Sequence, residues 1–538
     1  MNRTNLNLRI CSPELLLAFS CFFALAADGC GHGLKGVQAK HSTVTVLVCC
    51  GEWSPVSPDE DEPAKFLVFL PLVARNAKGE LEGRLAQSWE HSPDYRTWTI
   101  HLRKGVHWQD GVPVTARDIK FTLELLSNPQ SCVLFPPDAV TVKILDDYTY
   151  TLTYSKDAGR SAFWNGSNPL DDWTVYYPKH LLEKLDQKNC AAWEFWRQPI
   201  GDGPYRHVRT VAQTMMEFEA DPNYYRGRPK IEYVVLKFFP GGHLSGPMPL
   251  TELLSGNVDA ISGAVPKDVM KLSGNSRFRT YFWMSPLEGA ALFWNERYPT
   301  FRDPKVRRAL TLAINRRELN DTLNLPKEAP IADVLFTPRQ FPRGELPGAL
   351  PYDPKKANRL LDEAGWHYIN NTGVRERAGH QFRFTTLAAT LGASDQALIY
   401  VQAALRHVGI EMEIERLDYG VLRDRARAGN FQAVVDGVLF GGNWPQLLYF
   451  QKDSPIGYSN PKVIALLQKT AATMDPDEYD RIYRELWPVF ETDMPATFLY
   501  FVDSATVTDR RVKGLSTPWR SDPVQYMEDL WLEDGGKR

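Results

Sequence analysis

The sequence predicts an α/β protein of several domains, and three observations support that class. Its 538 residues exceed what one hydrophobic core usually holds, so we expect two or three domains. From about Leu287 onward, candidate strands alternate with candidate helices, which is the pattern of an α/β lobe. Between Gly83 and Leu126 the order is instead strand, turn, strand and helix, which indicates a mixed α+β module.

The composition excludes several classes of partner. The chain is 43% hydrophobic and 12% aromatic, and its net charge is only −3 without any basic run. These values are typical of a globular protein and indicate neither a nucleic-acid partner nor binding to an anionic membrane surface. The many rings suit a large core, and they also suit a cleft that stacks on its ligand.

The first thirty residues have the pattern of a secretory signal. Arg3 and Arg9 form a basic start, and the apolar run Leu15–Ala27 is too short for a typical membrane-spanning helix. Cys30 follows at the position where a bacterial lipoprotein would be cleaved and acylated, and simple cleavage after Ala26 is the alternative. We therefore expect export to the periplasm or the outer face of the cytoplasmic membrane, with membrane contact only through a lipid on Cys30.

Four of the seven cysteines remain after the leader and Cys30 are set aside. Cys49 and Cys50 are adjacent at the end of a strand and point to opposite faces. Cys132 and Cys190 could form a disulfide in an exported protein, or both could be free buried thiols. No pair has the CxxC spacing of a metal site.

The α+β module is predicted from alternation and capping. Trp98, Ile100 and Leu102 alternate with polar residues, as in a half-buried strand. Thr115 with Asp118 three residues later marks a helix start, and apolar residues at helical spacing follow. A strand pair over Val140–Tyr154 extends the module to about Trp196, before a glycine turn that begins at Gly201.

The α/β lobe is predicted from repeated helix starts. An N-cap residue followed by proline occurs four times, at Asp303-Pro304, Asp353-Pro354, Asn460-Pro461 and Asp475-Pro476. Strand candidates lie between these helices, at Phe382–Leu387, Ile410–Leu417 and Phe431–Leu439. Earlier in the chain, Thr43–Val48 reads as a first buried strand.

The segment GRLAQSWEHSPDYRTWTIHLRKGVHWQDGVPVTARDIKFTLELL resembles the signature of extracellular solute-binding protein family 5. The stretches GDGPY, which resembles the family's GTGPY element, VRRALTLAINRREL, YDPKKANRLLDEAGW and NPKVIALLQKT resemble further elements of that family in the same order. Its members are receptors of ABC importers for oligopeptides, dipeptides, nickel chelates and some oligosaccharides. The resemblance implies a two-lobed, periplasmic-binding-protein-like α/β clamshell with an inserted α+β domain in lobe I.

The resemblance also implies a division of the chain. After the signal at 1–30, we expect lobe I from 41–75, 197–285 and 495–538, the inserted domain from 76–196, and lobe II from 286–494. The two crossings between the lobes are placed near Ser285-Pro286 and Asp493-Met494-Pro495. The implied partners are a membrane permease and its ATPase subunits, and we expect the receptor itself to be a monomer.

In a clamshell receptor the ligand lies between the lobes. Phe293 and Asn295 belong to a stretch that resembles the family's hxxN element at the start of lobe II. Asn443 and Trp444 lie in a glycine-rich loop after a strand. Asp59 lies in an acidic run that the resemblance places at one wall of the cleft, and a solvated loop is the alternative. These five residues are the predicted ligand contacts; for each ring, ordinary core packing is the alternative.

The predicted ligand is a peptide or a similar small solute. Peptide-binding members of the family carry an aspartate in the second loop for the α-ammonium, whereas Gly441–Gln446 reads GGNWPQ without an acid. A buried ammonium without a carboxylate partner is costly, so an oligosaccharide is the competing ligand. Nickel is disfavoured because His101 and His107 lack ligand spacing.

We expect no catalysis and no cofactor. The chain has no GxxxxGK, HExxH or GxSxG, and its one GxGxxG at Gly31 follows the leader and not a strand. A secreted hydrolase with two paired carboxylates stays as the rival class, because sequence does not show which acids meet in space.

Overall fold

The structure is a computed structural model that describes residues 42–49, 64–78, 80–128, 130–131, 140–155, 174–239, 244, 246–272, 274–325, 327, 331–332, 350–368, 373–389, 394–439, 449–450, 453–516 and 522–533. The chain divides into two compact units, Met1–Ser42 and Thr43–Arg538. Every element reported below belongs to the second unit.

A ten-stranded mixed sheet is the largest element of the fold. In order across the sheet its strands are β17 (Glu411–Leu417), β16 (Arg383–Ala389), β18 (Ala433–Leu439), β12 (Phe278–Trp294), β19 (Ala496–Asp509), β11 (Ala260–Ala264), β1 (Thr43–Val48), β10 (Tyr233–Phe238), β9 (Met215–Ala220) and β8 (Tyr205–Val211). β1 runs parallel to both its neighbours, as β16 does to its own, while the other pairs are antiparallel. The predicted strands of both halves are therefore confirmed, with ends shifted by a few residues.

The two central strands, β12 and β19, run through both halves of the sheet. Their pairing shifts register between Met284 and Gly289 of β12. On one side of this shift β19 also pairs with β11, and on the other side β12 pairs with β18. The expected crossing at Ser285-Pro286 falls inside the shift. For β19 the corresponding change lies between Phe501 and Asp503, after the position expected for the second crossing, because the strand has already begun at Ala496.

A second sheet builds the α+β module and is antiparallel throughout. Its strands are, in order, β4 (Ala86–His91), β5 (Thr97–Leu102), β7 (Thr149–Tyr154) and β6 (Val140–Asp146). Trp98, Ile100 and Leu102 point into the core, with at most 4% of each side chain exposed. Thr115 caps the following helix, and the Asp118 carboxylate accepts the Thr115 N–H at 2.8 Å. The predicted alternation and helix start are both confirmed.

The remaining short strands are β2 (Val73–Arg75), β3 (Leu81–Gly83), β13 (His367–Tyr368), β14 (Arg375–Arg377), β15 (His380–Gln381), β20 (Val512–Lys513) and β21 (Trp531–Leu532). The α-helices span Lys65–Val68, Ala116–Ser127, Lys179–Leu182, Pro247–Ser255, Pro266–Val269, Pro304–Leu312, Arg316–Thr322, Pro354–Glu363, Ser394–Arg406, Tyr419–Ala428, Pro461–Ala472 and Pro476–Asp493. Short 3₁₀ turns cover Gln187–Ala192, Glu194–Arg197, Met270–Leu272 and Met527–Asp529. All four predicted cap-and-proline helix starts are present.

Separate apolar clusters stabilise the two halves of the large sheet. One cluster joins β1, β9 and β10 to the antiparallel sheet and the helix Ala116–Ser127. Two others cover the opposite faces of β12, β16 and β18, which explains why these strands are buried on both sides. Cys190 is disulfide-bonded, so the free-thiol alternative is wrong for this residue, and its partner lies outside the described residues.

Candidate ligand-binding site

Two of the predicted ligand contacts lie in the described part of the chain. Phe293 and Asn295 are at the carboxyl end of β12. Asp59, Asn443 and Trp444, together with the predicted lipid anchor Cys30, lie outside the described residues. The structure therefore describes residues on either side of the predicted loop Gly441–Gln446 but not the loop itself.

Phe293 is fully buried and stacks on another ring. Its ring centroid is 4.0 Å from that of Tyr449, with an angle of 22° between the planes, and Phe450 lies 6.0 Å away. The contacts are those of core packing, the alternative raised for each ring, and they connect β12 to the segment that follows residue 448. A direct contact between Phe293 and ligand stays a prediction.

Asn295 is also fully buried, and its side-chain amide joins the end of β12 to the segment that leads into β18. The Nδ2 group donates to the carbonyl oxygens of Phe431 at 2.7 Å and Gly429 at 3.1 Å. The Oδ1 atom accepts the Arg297 N–H at 3.1 Å, and the Asn295 N–H donates to the Gln432 carbonyl at 3.0 Å. These bonds fix the start of β18 against the end of β12. Whether Asn295 also touches ligand stays a prediction.

Asp436 and Tyr449 form a contact that the sequence did not single out. The Tyr449 hydroxyl donates to Asp436 Oδ2 at 2.8 Å. Asp436 lies on β18 and pairs with Ala291 of β12, two positions from the pair Val434 and Phe293. Asp436 thus shares the Phe293 face of the sheet, where the neighbouring side chains are apolar. The sequence could have indicated this contact, because Asp436 is an acid at a strand position that faces the core.

A buried charged cluster lies where β12 ends and β19 begins. The Arg307 guanidinium donates to the carbonyl oxygens of Asp493 and Met494, and its Nη2 lies 3.2 Å from Glu296 Oε1. The Asp493 carboxylate accepts the Tyr458 hydroxyl at 2.7 Å. Burial raises the pKa of Glu296 to about 7, Arg307 opposes that shift and Asp493 adds to it. The Glu296 carboxylate thus faces the buried Arg307 guanidinium directly, whereas Arg307 meets Asp493 through its backbone carbonyl.

Asp202 is a second buried acid, in the glycine turn that precedes β8. Its Oδ1 accepts the Leu70 N–H at 2.9 Å, and its Oδ2 has no hydrogen-bond partner among the described residues. Burial raises the pKa of Asp202 well above its ordinary value, and the nearby Asp118 carboxylate acts in the same direction. A Cβ atom on Gly201 would lie 1.8 Å from the Val68 carbonyl oxygen, so this turn needs glycine for its close approach.

The described residues show neither a metal centre nor a membrane span. Within those residues, no group of three or more His, Cys, Asp or Glu side chains is arranged to hold a metal ion. No helix in the part of the chain that the structure describes is long and apolar enough to cross a bilayer.

Comparison with known proteins identifies relatives along most of the chain. The family model for bacterial extracellular solute-binding proteins, family 5 Middle, matches residues 80–458. The oligopeptide-binding protein AppA of Bacillus subtilis is 25% identical over 485 residues, which cover 87% of this chain and 86% of AppA. A putative ABC transporter peptide-binding protein of Brucella ovis is 28% identical over 486 residues, with 86% and 87% coverage.

Two solved structures are similar to this chain in fold. AppA from Bacillus subtilis, solved in complex with a nonapeptide, has a TM-score of 0.67 at 22% identity and covers 92% of this chain and 100% of its own. The ABC transporter substrate-binding protein CtaP of Listeria monocytogenes has a TM-score of 0.75 at 21% identity, with coverage of 91% and 99%.

The expected two-lobed α/β class is therefore confirmed, although the individual domain boundaries stay predictions. The match to the family model extends over more than half of the sequence and includes nearly all of the α+β module and strands β12, β16, β17 and β18 of the large sheet. This chain belongs to the bacterial extracellular solute-binding proteins of family 5.

Proposed function

We propose that this protein is the receptor of an ABC importer that captures a peptide between its two lobes and delivers it to a membrane permease. The observation that carries the proposal is the similarity to AppA and to the Brucella peptide-binding protein along nearly the whole chain. Binding without turnover is part of the proposal, because both relatives are named as binding proteins.

An oligosaccharide is the second candidate ligand. The favouring observation is the loop sequence GGNWPQ from Gly441 to Gln446, which offers an amide and an indole but no acid. An amide hydrogen-bonds to a hydroxyl and an indole stacks on a sugar ring, whereas neither neutralises an ammonium group.

A matched peptide panel separates the two candidates. Tetrapeptides with free amino termini, the same peptides N-acetylated, and neutral oligosaccharides would be titrated calorimetrically into the mature protein. The peptide proposal expects saturable binding of at least one peptide set, with no change in the recovered ligand by mass spectrometry. Binding of oligosaccharides alone would replace it with the second candidate, and hydrolysis of a bound probe would favour the secreted hydrolase.

The role of the loop can be tested on the same panel. Asn443→Asp adds a carboxylate that pairs with a ligand ammonium, so it should shift preference toward free-amine peptides. Trp444→Ala should weaken binding by roughly 1 kcal/mol or more through lost stacking. If Asn443→Asp leaves tight binding of free-amine peptides unchanged, another acid, such as Asp59, holds the amine.

The cellular setting follows from the N-terminal sequence. We infer export, removal of the signal, and acylation of Cys30 where a lipoprotein peptidase is present. Intact-mass measurement of the native mature chain tests this inference. A chain that begins at Ala27 without lipid contradicts the anchor, and an uncleaved chain contradicts export by this route.

A further inference from the structure

We propose that two turns, residues 92–96 and residues 473–475, form a clasp that favours the closed arrangement of the two halves of the molecule. The first half contains β1, β9, β10 and the α+β module, and the second contains β16, β17 and β18. The effect of the clasp on ligand affinity rests on the proposed function, whereas its effect on how the halves are held together does not.

Met474 belongs by sequence to the second half but is buried in the core of the first. The helices on either side of it, Pro461–Ala472 and Pro476–Asp493, contribute side chains to an apolar cluster that covers β18. Met474 is only 5% exposed and packs instead in the cluster that joins β1 to the antiparallel sheet. The core of the first half thus includes a side chain that the second half supplies.

A hydrogen bond shows which part of the first half receives this turn. Arg96 Nη2 donates to the Ala472 carbonyl oxygen at 3.5 Å, two residues before Met474. Arg96 is in the turn between β4 and β5, next to Tyr95 and close to Trp98, whose rings belong to the same apolar cluster as Met474. A bond of this length is weak, so burial of Met474 supplies most of the attraction and the bond aligns the two turns.

The turn between β4 and β5 holds Arg96 in place. Tyr95 has a φ of 56°, in the left-handed region that a bulky residue rarely adopts. Its ring stacks on His91 with 3.9 Å between centroids, and its carbonyl oxygen accepts the Trp98 indole N–H at 2.8 Å. Arg96 Nη1 donates to the Ser155 carbonyl oxygen at 2.7 Å. A strained conformation persists only where the surrounding contacts fix it, and such positions are common at functional contacts.

The opposing turn is fixed by the helices that it connects. The Thr473 N–H donates to the Lys469 carbonyl oxygen at 3.0 Å and closes the end of the first helix. The Asp475 carboxylate accepts the Asp477 N–H at 2.9 Å and caps the start of the second. Met474 lies between these two caps, so it is presented by a short connection whose two ends are both defined.

The clasp is distant from the place where β12 ends and β19 begins. The helix Pro476–Asp493 has 18 residues and therefore spans about 27 Å. Its first residue follows the clasp closely, and its last belongs to the buried cluster with Glu296 and Arg307. A small rotation about the connecting strands would withdraw Met474 from the first half and expose it to water, which favours the closed arrangement.

Two methionines provide a matched pair of variants. Met474→Ala removes the side chain that crosses between the halves. Met412→Ala makes the same change at a methionine that is 3% exposed and packs within the second half alone. Arg96→Ala removes the hydrogen bond to Ala472 from the opposite side of the clasp. Urea unfolding of each variant verifies that it is folded before the comparison.

Small-angle scattering of the ligand-free mature protein tests the clasp directly. Met474→Ala and Arg96→Ala should each have a larger radius of gyration than the wild type, because fewer molecules are closed. Met412→Ala should have the wild-type radius. Amide hydrogen exchange within residues 92–98 should also be faster in Met474→Ala, since this turn loses its cover, and unchanged in Met412→Ala.

Ligand affinity gives a second readout, which depends on the proposed function. The probe is the tightest-binding member of the panel of free-amine tetrapeptides, N-acetylated tetrapeptides and neutral oligosaccharides, titrated calorimetrically. Both clasp variants should bind it roughly fivefold or more weakly, because apparent affinity scales with the fraction of molecules that are closed. Met412→Ala should bind it as the wild type does.

Equal radii of gyration for the wild type and both clasp variants would overturn the inference. An increase in Met412→Ala as large as in Met474→Ala would also overturn it, because the effect would then be a general loosening of the fold. Failure of the wild type to bind any member of the panel contradicts the proposed function, and the ligand-free scattering still decides whether the clasp exists.

Discussion

Asp202 is an acid in a place where a charge has little to stabilise it. The family element that this turn resembles has threonine at the position, and the flanking Gly201 and Gly203 approach Val68 too closely to carry a side chain. Gln109 accepts the Gly201 N–H at 3.1 Å and donates to the Tyr205 carbonyl, which holds the turn closed. Burial in this closed turn raises the pKa of the Asp202 carboxyl well above its ordinary value, because little in the turn stabilises the charged form.

We expect Asp202→Asn to stabilise the protein increasingly as pH rises. Asp202 has a higher pKa in the folded chain than in the unfolded chain, where it is about 3.9. The unfolded chain therefore loses its proton first, and wild-type stability falls with pH above that value by at most about 1.4 kcal/mol per pH unit. Urea unfolding of both proteins at pH 5 and pH 7 measures how the difference between their free energies of unfolding grows with pH.

The control for this change is Asp221→Asn. Asp221 is also buried, but its carboxylate accepts from Arg206 Nη2 at 2.9 Å, so neutralising it should destabilise. A difference in unfolding free energy between the wild type and Asp202→Asn that does not grow with pH would contradict the raised pKa of Asp202.

Glu296 should make the stability of the fold depend on pH a second time, in the range between its unfolded and its folded pKa. Its pKa is raised to about 7 in the folded protein, against about 4.3 for an unperturbed glutamate. The sign is the same as for Asp202: stability declines from about pH 4.3 to about pH 7 and then levels off. Glu296→Gln should remove this decline, so its advantage over the wild type grows from pH 5 to pH 7 and changes little by pH 8.

Glu415→Gln is the comparison for Glu296→Gln. Glu415 pairs with Arg425 at 2.5 Å, and both side chains are more than a third exposed, so this change should have a small effect at each pH. An equal pH response in the two variants would contradict a special role for burial at Glu296.

Sequence reasoning placed Phe293 and Asn295 next to each other, but it did not predict what they contact. A period of two assigns alternate residues to opposite faces, yet β12 is buried on both faces, so alternation does not distinguish core from cleft. Asp436 and Tyr449 are 13 residues apart in sequence, and their contact depends on how β18 pairs with β12.

At the scale of elements, local signals were sufficient for most of the fold. Each N-cap residue followed by proline satisfies one early backbone N–H and presets the first turn, and these effects need no distant partner. The same holds for the capping box at Thr115 and Asp118. The order of the ten strands was beyond this reasoning, because parallel neighbours such as β1 and β10 are separated in sequence by the whole α+β module.

The partner of the disulfide-bonded Cys190 is a prediction that concerns how two elements are linked. Cys132 remains its predicted partner, and the Asn128 side chain, four residues before Cys132, donates to Gln187 at 3.1 Å, three residues before Cys190. We expect non-reducing peptide mapping to recover a Cys132–Cys190 pair. Reduction should lower the free energy of unfolding by about 2–4 kcal/mol.

Cys132→Ser with Cys190→Ser is the matched double variant, and it should show the same loss of stability without reductant. Recovery of Cys190 linked to Cys50 would replace the predicted pairing. A stability that does not respond to reduction would mean that the bond adds little constraint to the unfolded chain.

At the scale of the whole molecule, two strands connect the halves of the sheet. β12 and β19 pair along their length with two register shifts, a longer one between Met284 and Gly289 and a shorter one between Ala290 and Ala291. A shift of this kind bends a strand pair and weakens it locally. The cluster of Glu296, Arg307 and Asp493 holds the end of β12 against the start of β19. The strand pair should therefore bend more easily at the register shift than at this held end.

We therefore expect the protein to become more compact when ligand binds, with the change centred on this shift. Hinged receptors close around their ligands by rotation about a few residues in the connecting segments. Small-angle scattering of the mature protein, with and without saturating amounts of the tightest-binding probe from the panel, should show a smaller radius of gyration in the bound state. Arg307→Met, which frees the strand ends while keeping an unbranched aliphatic stem, should reduce stability without abolishing that change. Identical scattering profiles at a calorimetrically confirmed saturation would contradict closure, because a rigid receptor with an open cleft would then be sufficient for binding.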